Sequence, residues 1–296
     1  DYLKQDEVAL KYTSIWLMLA PYDASAHHSL FVIAWNKKDF ARAERSIQKC
    51  IELNPTHAKY YFHFAEVCEH ADQIDRAIEH YNKSISLNSH ESRCYLHLRN
   101  IYTRLNKTNE AIAILKLGVN NNPNDAALAF QLGRLYSDTG QEALAIEYLT
   151  KAISQGGFPA AYHIRAKSYL SYQTPELTSL AFCDYLSALE DNCNFCIHDF
   201  KQELASYNIQ QIYKIVTSAQ DDNIKIRLLD NILHSQSPLA QKFHGRTQNF
   251  FGADDKLILR NQMECELTRL QQAMKCDVVN ERNAVLALNG RLRDRR

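Results

Sequence analysis

The chain has 296 residues with 34 basic and 34 acidic side chains, and 46% of its residues are apolar. The balanced charge argues against nucleic acid or an anionic membrane surface as the main partner. Its 8 glycines and 6 prolines are too few for a β fold, which needs a turn every ~8–12 residues. The longest apolar stretch, Ile15 to Pro21, is far shorter than the ~20 residues of a membrane-spanning helix. We therefore expect an all-α protein without a membrane span.

The first regular feature along the chain is a 34-residue period. One column of residues at this interval is Ala9, Ala43, Ala77, Ala111 and Ala145. A second column is Pro21, Pro55, Ser89, Pro123 and Gly157, and a third is Thr13, Ile47, Tyr81, Leu115 and Leu149. Apolar residues recur between these columns at helical spacing, and in three of the five units proline ends the second helix because it cannot continue the hydrogen-bond ladder. Each unit is therefore a predicted helix–turn–helix that stacks on the next unit.

These columns resemble the tetratricopeptide repeat over residues 1–190. The resemblance implies a right-handed α–α superhelix with a helical C-terminal extension. The register divides the array into a partial repeat 1–23, full repeats 24–57, 58–91, 92–125 and 126–159, and a degenerate repeat 160–190. Residues 1–23 match only a second helix, so we expect the chain to begin inside a repeat of a longer protein. The tryptophan typical of the family's first helix is replaced by His27, Tyr61, Tyr95 and Ala129.

The period is lost in residues 191–296, although helical patterns continue. One predicted helix there carries a heptad-like apolar stripe, formed by Met263, Leu267, Leu270 and Met274. We expect this stripe to be a core face that caps the array. The alternative is a helix that binds a partner or makes a dimer.

In the tetratricopeptide family the first helices line a concave surface on which ligand peptides lie. Projecting the register onto this chain implies a binding groove formed by His28, Trp35, Lys59, Phe62, His63, Glu66, Arg93, His97, Asn100, Arg104, Phe130, Gln131, Arg134, His163 and Lys167. Such a polar, mildly cationic groove suits an acidic peptide, a C-terminal carboxylate or a helix, since arginine binds carboxylates in a bidentate manner. Histidines would make the binding sensitive to pH at about 6–7. The alternative is a solvated face without a special role.

Some family members hold the C-terminal carboxylate of a chaperone with lysine and asparagine. Only Arg93 and Asn100 fall in comparable places here, while His28, Val32 and His97 depart from that pattern. Chaperone-tail binding is therefore a minor alternative for the groove.

The eight cysteines form no regular framework, and we expect reduced thiols in a cytoplasmic protein. Cys193, Cys196 and His198, with Cys183 as a fourth ligand, form a weak zinc candidate, because a lone CxxC lacks a second paired element. We expect no metal and no cofactor. Phosphate-binding loops and catalytic motifs are also absent from the sequence, so we do not expect an enzyme.

The sequence thus predicts a scaffold or adaptor that binds a segment of another protein in the groove. Two other functions stay open at this point. The chain could be the recognition part of a larger enzyme, or contain an unfamiliar catalytic C-terminal region. It could also be a dimeric assembly factor that pairs through the stripe of residues 263–274.

Overall fold

The computed structural model describes residues 2–156, 159–190, 194–207, 209–234, 238 and 260–272. These residues contain helices and no strand, which confirms the predicted all-α fold. They divide into two compact units, unit 1 (residues 1–135) and unit 2 (residues 136–296), each of which is described by itself. This division by contacts differs from the predicted division at residue 190, which followed the repeat period.

Fourteen helices follow one another in the described residues, and a further helical segment covers 260–272. The bounds are α1 Tyr2–Leu19, α2 Ala24–Asn36, α3 Phe40–Leu53, α4 Ala58–His70, α5 Ile74–Leu87, α6 Ser92–Arg104, α7 Thr108–Asn121, α8 Ala126–Asp138, α9 Glu142–Ser154, α10 Pro159–Leu170, α11 Pro175–Glu190, α12 Asn194–Ala205, α13 Ile209–Ser218 and α14 Asp222–His234.

The helix starts keep the 34-residue interval. The first helices α2, α4, α6 and α8 begin at Ala24, Ala58, Ser92 and Ala126. The second helices α3, α5, α7 and α9 begin at Phe40, Ile74, Thr108 and Glu142. Within unit 1, α3 packs on α2 and on α4, α5 packs on α4 and on α6, and α7 packs on α6. The alanine column makes this close packing possible, because Ala43, Ala77 and Ala111 are fully buried without a bulky side chain.

A left-handed residue ends each first helix at the same place in the repeat. Lys38, Asp72, Asn106 and Gly140 have φ of 60°, 56°, 55° and 71°. In the first of these turns the N–H of Asp39 donates to the carbonyl of Ala34 at 2.9 Å, and the N–H of Lys38 donates to that of Trp35 at 3.0 Å. The same two bonds recur in the other three turns, so all four are Schellman motifs that satisfy the last carbonyls of the helix.

In three repeats, the residue that replaces the family's tryptophan ties the first helix to the loop before it, whereas Ala129 of the fourth repeat has no polar group to do so. A ring nitrogen of His27 lies 2.9 Å from the carbonyl oxygen of Pro21. The Tyr61 hydroxyl donates to the carbonyl of Pro55 at 3.1 Å. In the next repeat the Tyr95 hydroxyl donates in the same way to the carbonyl at position 89, at 2.8 Å. In these three repeats, a polar atom on an aromatic ring therefore anchors the first helix to the preceding loop.

In unit 2, α10 pairs with α11, and α11 also packs on α12, α13 and α14. Their shared core includes Phe182, Phe200 and Leu228, together with side chains of the 260–272 segment. Met263, Leu267 and Leu270 are buried in this core, so the apolar stripe is a core face and offers none of these three side chains to a partner. Met274 lies outside the described residues.

A candidate partner-binding face on unit 1

Three histidines of unit 1 lie along one face of its first helices. His28 of α2 and His63 of α4 have ring centroids 5.2 Å apart. Phe62 lies between the next pair, with its ring 5.4 Å from His63 and 5.5 Å from His97 of α6. We call the surface of α2, α4 and α6 that carries His28, His63 and His97 the histidine face. The 34-residue spacing of the first helices places these rings side by side.

Carboxylates pair with two of these histidines. The Nδ1 of His63 donates to Glu66 at 2.8 Å, and the Nδ1 of His97 donates to Glu69 at 3.0 Å. The buried Tyr81 hydroxyl also donates to Glu69, at 2.8 Å. The hydrogen bond from His97 is the main cause that lowers the pKa of Glu69, which is therefore ionised at neutral pH.

The arginines of the histidine face are paired as well. Arg93 donates from Nε and one Nη to the two oxygens of Glu91, at 2.8 and 3.1 Å, and this hydrogen bonding lowers the pKa of Glu91. Arg104 lies 3.4 Å from Asp72 and 3.9 Å from Glu69. These carboxylates offset the cationic character that the predicted groove residues suggested. The face is therefore close to charge-balanced.

His28 differs from the other histidines of this face. Burial, followed by the neighbouring His63 and Lys59, lowers the pKa of His28 to about 4, so that its ring is neutral at pH 7. The predicted pH sensitivity at about 6–7 therefore does not apply to His28. The Nε2 atoms of His28 and His63 are buried without a hydrogen-bond partner in the part of the chain that the structure describes.

The remaining predicted groove residues of unit 1 differ in exposure. Phe62 is 1% exposed and belongs to the core, with the guanidinium of Arg93 4.3 Å above its ring centroid. Lys59 and Asn100 are exposed, and Trp35 is half-buried between aromatic neighbours. On α8, one predicted residue is exposed and two are half-buried. These three are Arg134, Phe130 and Gln131.

His163 and Lys167 of the predicted groove belong to unit 2, on α10. Both bind one carboxylate, that of Asp199 on α12, at 2.9 and 3.1 Å. Lys167 is thus paired within unit 2, and burial lowers the pKa of His163, so we leave both residues out of the histidine face.

Two of the carboxylates that pair with groove cations were not predicted from the repeat register. The register predicted Glu66 but neither Glu69 nor Glu91, although Glu91 lies only two residues before the arginine that it binds. Glu69 lies 28 residues before His97, a separation that local pattern does not reveal. The stacking of α4 on α6 brings those two residues together.

The zinc candidate finds no support in the described residues, where no group of three or more metal-binding side chains occurs. Cys196 is part of a disulfide bond and has no thiolate to offer a metal. The expectation that every cysteine is a reduced thiol is therefore wrong for Cys196. His198 is exposed on α12, and Cys193 lies outside the described residues.

Comparison with known families identifies the repeat. Two sequence models of the tetratricopeptide repeat match the chain, one at residues 70–131 and the other at residues 25–57 and 126–155. The matches at residues 25–57 and 126–155 each cover one helical pair, and the match at residues 70–131 covers α5, α6 and α7. The chain therefore contains tetratricopeptide repeats. A comparison with curated proteins gives no match.

Solved structures of other repeat proteins share the fold. PilF of Pseudomonas aeruginosa is similar with a TM-score of 0.55 at 16% identity, over 68% of this chain and 92% of that one. The C-terminal part of a TPR repeat-containing protein from Cytophaga hutchinsonii has a TM-score of 0.53 at 16% identity, over 79% and 92%. YrrB, described as a TPR protein with an unusual peptide-binding site, has a TM-score of 0.50 at 18% identity, over 64% and 97%.

At these identities the similarity concerns the fold alone. The tetratricopeptide repeats themselves are of a kind that supports a protein-interaction scaffold. Among the described residues, no helix combines the length and the apolar character that crossing a membrane requires.

Proposed function

We propose that the histidine face of unit 1 binds an acidic peptide, or a short helix with an acidic side chain, from another protein. The observation that carries the proposal is a pair of exposed arginines on α6, Arg93 and Arg104, beside the aromatic rings of α2 and α4. These rings pack against one another and give the face a rigid base.

Arg93 is held in a fixed orientation before any partner arrives. Its guanidinium lies on the ring of Phe62 and uses two of its donors on Glu91. A guanidinium has five N–H donors in a rigid fork, so others stay available to a second carboxylate. Little rotational freedom would be lost on binding, which favours affinity.

The ion pairs of the histidine face do not oppose this binding strongly. The Arg93 and Arg104 side chains are 52% and 57% exposed, and exposed pairs contribute only ~0.2–1 kcal/mol. A partner carboxylate can therefore share or replace Glu91 and Asp72 at small cost. Once the partner covers the pair, the lower local dielectric strengthens the new hydrogen bonds.

Aromatic side chains would supply the apolar part of the contact. Trp35 is half-buried, with its ring 5.9 Å from Phe31 and 5.5 Å from Phe40, so part of the indole is open to a partner. Tryptophan and arginine are the residue types most enriched among binding hot spots. A peptide-binding site in YrrB, a protein of the same fold, is in keeping with this use of the array.

The test is to select peptides from a displayed random library on the intact chain, and then to measure their affinity for variants. Arg93→Glu combined with Arg104→Glu should weaken binding at least tenfold, because the partner carboxylate then meets like charge. The matched control is Arg45→Glu, an exposed arginine of the second helix α3 outside the histidine face. Fluorescence anisotropy with labelled peptides gives the dissociation constants.

Selected peptides that bind the double variant as tightly as the wild type would refute the proposal. The histidine face would then be a solvated surface, which is the alternative that the sequence left open.

Cytoplasmic location also stays a prediction, and the disulfide at Cys196 is a feature more typical of oxidising compartments.

A further inference from the structure

The histidine face changes its charge from one end to the other. Helix α2 contains no lysine, arginine, aspartate or glutamate, and its His28 is neutral at pH 7 because of its lowered pKa. Helix α6 contains three arginines and no acidic residue, and two of these arginines, Arg93 and Arg104, are exposed. A partner that lies across α2, α4 and α6 therefore meets an uncharged surface at one end and arginines at the other.

The uncharged end offers an accessible apolar surface. Val32 is 39% exposed, and Trp35, three residues further along the same side of α2, is half-buried. In α4 the same positions of the repeat hold Glu66 and Glu69. Valine and tryptophan thus lie where the next repeat has two carboxylates. An apolar side chain is the partner group that gains most from covering them.

This exposure is a property of the repeat position and does not depend on α2 lying near the beginning of the chain. The position of Val32 is occupied by Asn100 in α6 and by Arg134 in α8. Both residues are exposed, although another first helix precedes theirs, and so is Thr103, at the position of Trp35 in α6. A preceding repeat leaves these positions open, so a partner on the histidine face can reach Val32 and Trp35.

A side-chain amide on α6 favours an extended partner segment over a helix. Asn100 lies between Arg93 and Arg104 on the same side of α6, and its amide makes no hydrogen bond within the part of the chain that the structure describes. Such an amide can both donate and accept. An extended segment has free main-chain N–H and C=O groups for it, whereas a helix uses its own.

The distance between the two ends sets the spacing of the partner's side chains. The rings of His28 and His63 show that α2 and α4 are neighbours, and those of Phe62 and His97 show the same for α4 and α6. Neighbouring helix axes lie roughly 8–10 Å apart, so α2 and α6 are roughly 16–20 Å apart. An extended chain covers this distance in about five or six residues at ~3.3 Å per residue.

We infer that the partner segment is extended, with a large apolar side chain over Val32 and Trp35 and an acidic side chain about five or six residues away over Arg93 and Arg104. This inference rests on the proposed function and adds to it the composition and spacing of the segment. The apolar side chain removes valine and indole surface from water, and the carboxylate binds the guanidinium groups. A carboxylate placed over α2 would lose water without gaining a cation.

The experiment repeats the peptide selection on a variant of α2 that carries the α6 residues at the same positions, Val32→Asn with Trp35→Thr. Peptides selected on the wild type should share a large apolar residue and an acidic residue about five or six positions apart. Peptides selected on the variant should keep the acidic residue and lose the apolar one. Circular dichroism checks the fold. Val32→Asn alone serves if the double variant loses helix, because this side chain is exposed.

Fluorescence anisotropy with the peptides selected on the wild type gives the size of the effect. The double variant should bind them at least tenfold more weakly, and Val32→Asn alone about threefold more weakly. Peptides shortened by two residues between the apolar and the acidic position should also bind about tenfold more weakly. The matched control is Leu117→Asn on α7, which removes a 45% exposed apolar side chain outside the histidine face and should leave the affinity unchanged.

The arginine variant separates this inference from the proposed function. Full affinity of the Val32 and Trp35 variants, together with weak binding by Arg93→Glu with Arg104→Glu, would overturn the inference and leave the proposed function standing. Full affinity of both sets of variants would overturn both. Peptides that tolerate the shortened spacing, or that show the same apolar preference in both selections, would also overturn the inference.

Discussion

The second repeat of unit 1 and the degenerate repeat of unit 2 make the same helix-to-helix contact with different chemistry. In the second repeat, Phe64 of α4 packs on His80 of α5, with ring centroids 4.6 Å apart. The corresponding positions of the degenerate repeat are Arg165 of α10 and Asp184 of α11. Arginine thus occupies a column that holds Phe64, Leu98 and Leu132 in the regular repeats, and aspartate one that holds Ser46, His80, Ile114 and Tyr148.

The pair in unit 2 is buried and geometrically complete. Arg165 donates to both oxygens of Asp184, at 2.7 and 2.6 Å, and its third nitrogen donates to Thr150 at 2.8 Å. The two side chains are 14% and 7% exposed. The same position between paired helices is therefore occupied by packed rings in the second repeat and by a complete ion pair in the degenerate repeat.

The largest expected effect comes from removing one member of this pair. Arg165→Ala leaves the Asp184 carboxylate buried without its counter-ion, and should lower the free energy of unfolding by about 3–5 kcal/mol. Urea unfolding followed by circular dichroism measures the change. Arg93→Ala in unit 1 is the control, since its exposed pair should contribute less than about 1 kcal/mol.

A double variant sharpens the same point. Arg165→Leu with Asp184→Ile restores apolar residues found in the regular repeats, and should recover most of the stability that either single change loses. Failure of the double variant to recover would mean that the degenerate repeat needs the ion pair itself.

The second largest effect concerns a close approach within unit 1. A Cβ atom on Gly118 would lie 2.9 Å from the Cγ of Tyr95, which is buried and held by hydrogen bonds from and to its hydroxyl. Gly118→Ala should therefore destabilise the chain by roughly 1–3 kcal/mol through overpacking. The control is Gly140→Ala in unit 2, where an added Cβ meets no atom within 4 Å but the backbone has φ of 71°. A loss of stability in this control comes from backbone strain and not from overpacking. An unchanged urea midpoint for Gly118→Ala would show that α7 can move away from the ring.

The third effect is the pH dependence of unit 1. The pKa of His28 is about 4 in the folded chain and about 6.5 when unfolded, so the unfolded state binds more protons between these values. Stability should fall as the pH is lowered from about 6.5 towards 4. His28→Phe should flatten this slope while keeping a ring beside Phe31.

Urea unfolding midpoints of the wild type and of His28→Phe, measured between pH 4 and pH 8, test this pH dependence. Above about pH 7.5 the difference between wild type and His28→Phe should be constant, since the imidazole is then neutral in both states. Parallel curves over the whole range would contradict the assignment.

The smallest effect concerns the left-handed turns. Lys38 has φ of 60° without the freedom of glycine, so Lys38→Gly should stabilise the chain by roughly 0.5–1 kcal/mol. Gln173→Gly, at φ of 53° in the degenerate repeat, should give a similar gain if both units use the same turn. Asn106→Gly should change little, because asparagine tolerates this conformation. Thermal unfolding of the three variants ranks them, and a loss of stability in Lys38→Gly would contradict the strain argument.

The repeat, its helices and their order can be predicted from the sequence, because helix starts, proline residues at helix ends and apolar columns are local signals that recur every 34 residues. The first-helix positions of the histidine face also followed from the register. Its burial pattern did not, since Phe62 is covered only once α4 packs on its neighbours.

The charge of the candidate site, and the partners of the residues that depart from the repeat pattern, depend on tertiary packing. His97 meets Glu69 across two helices, and Arg165 meets Asp184 after an inter-helix turn has changed length. Such pairs depend on how helices stack, which a list of cations along the chain does not contain.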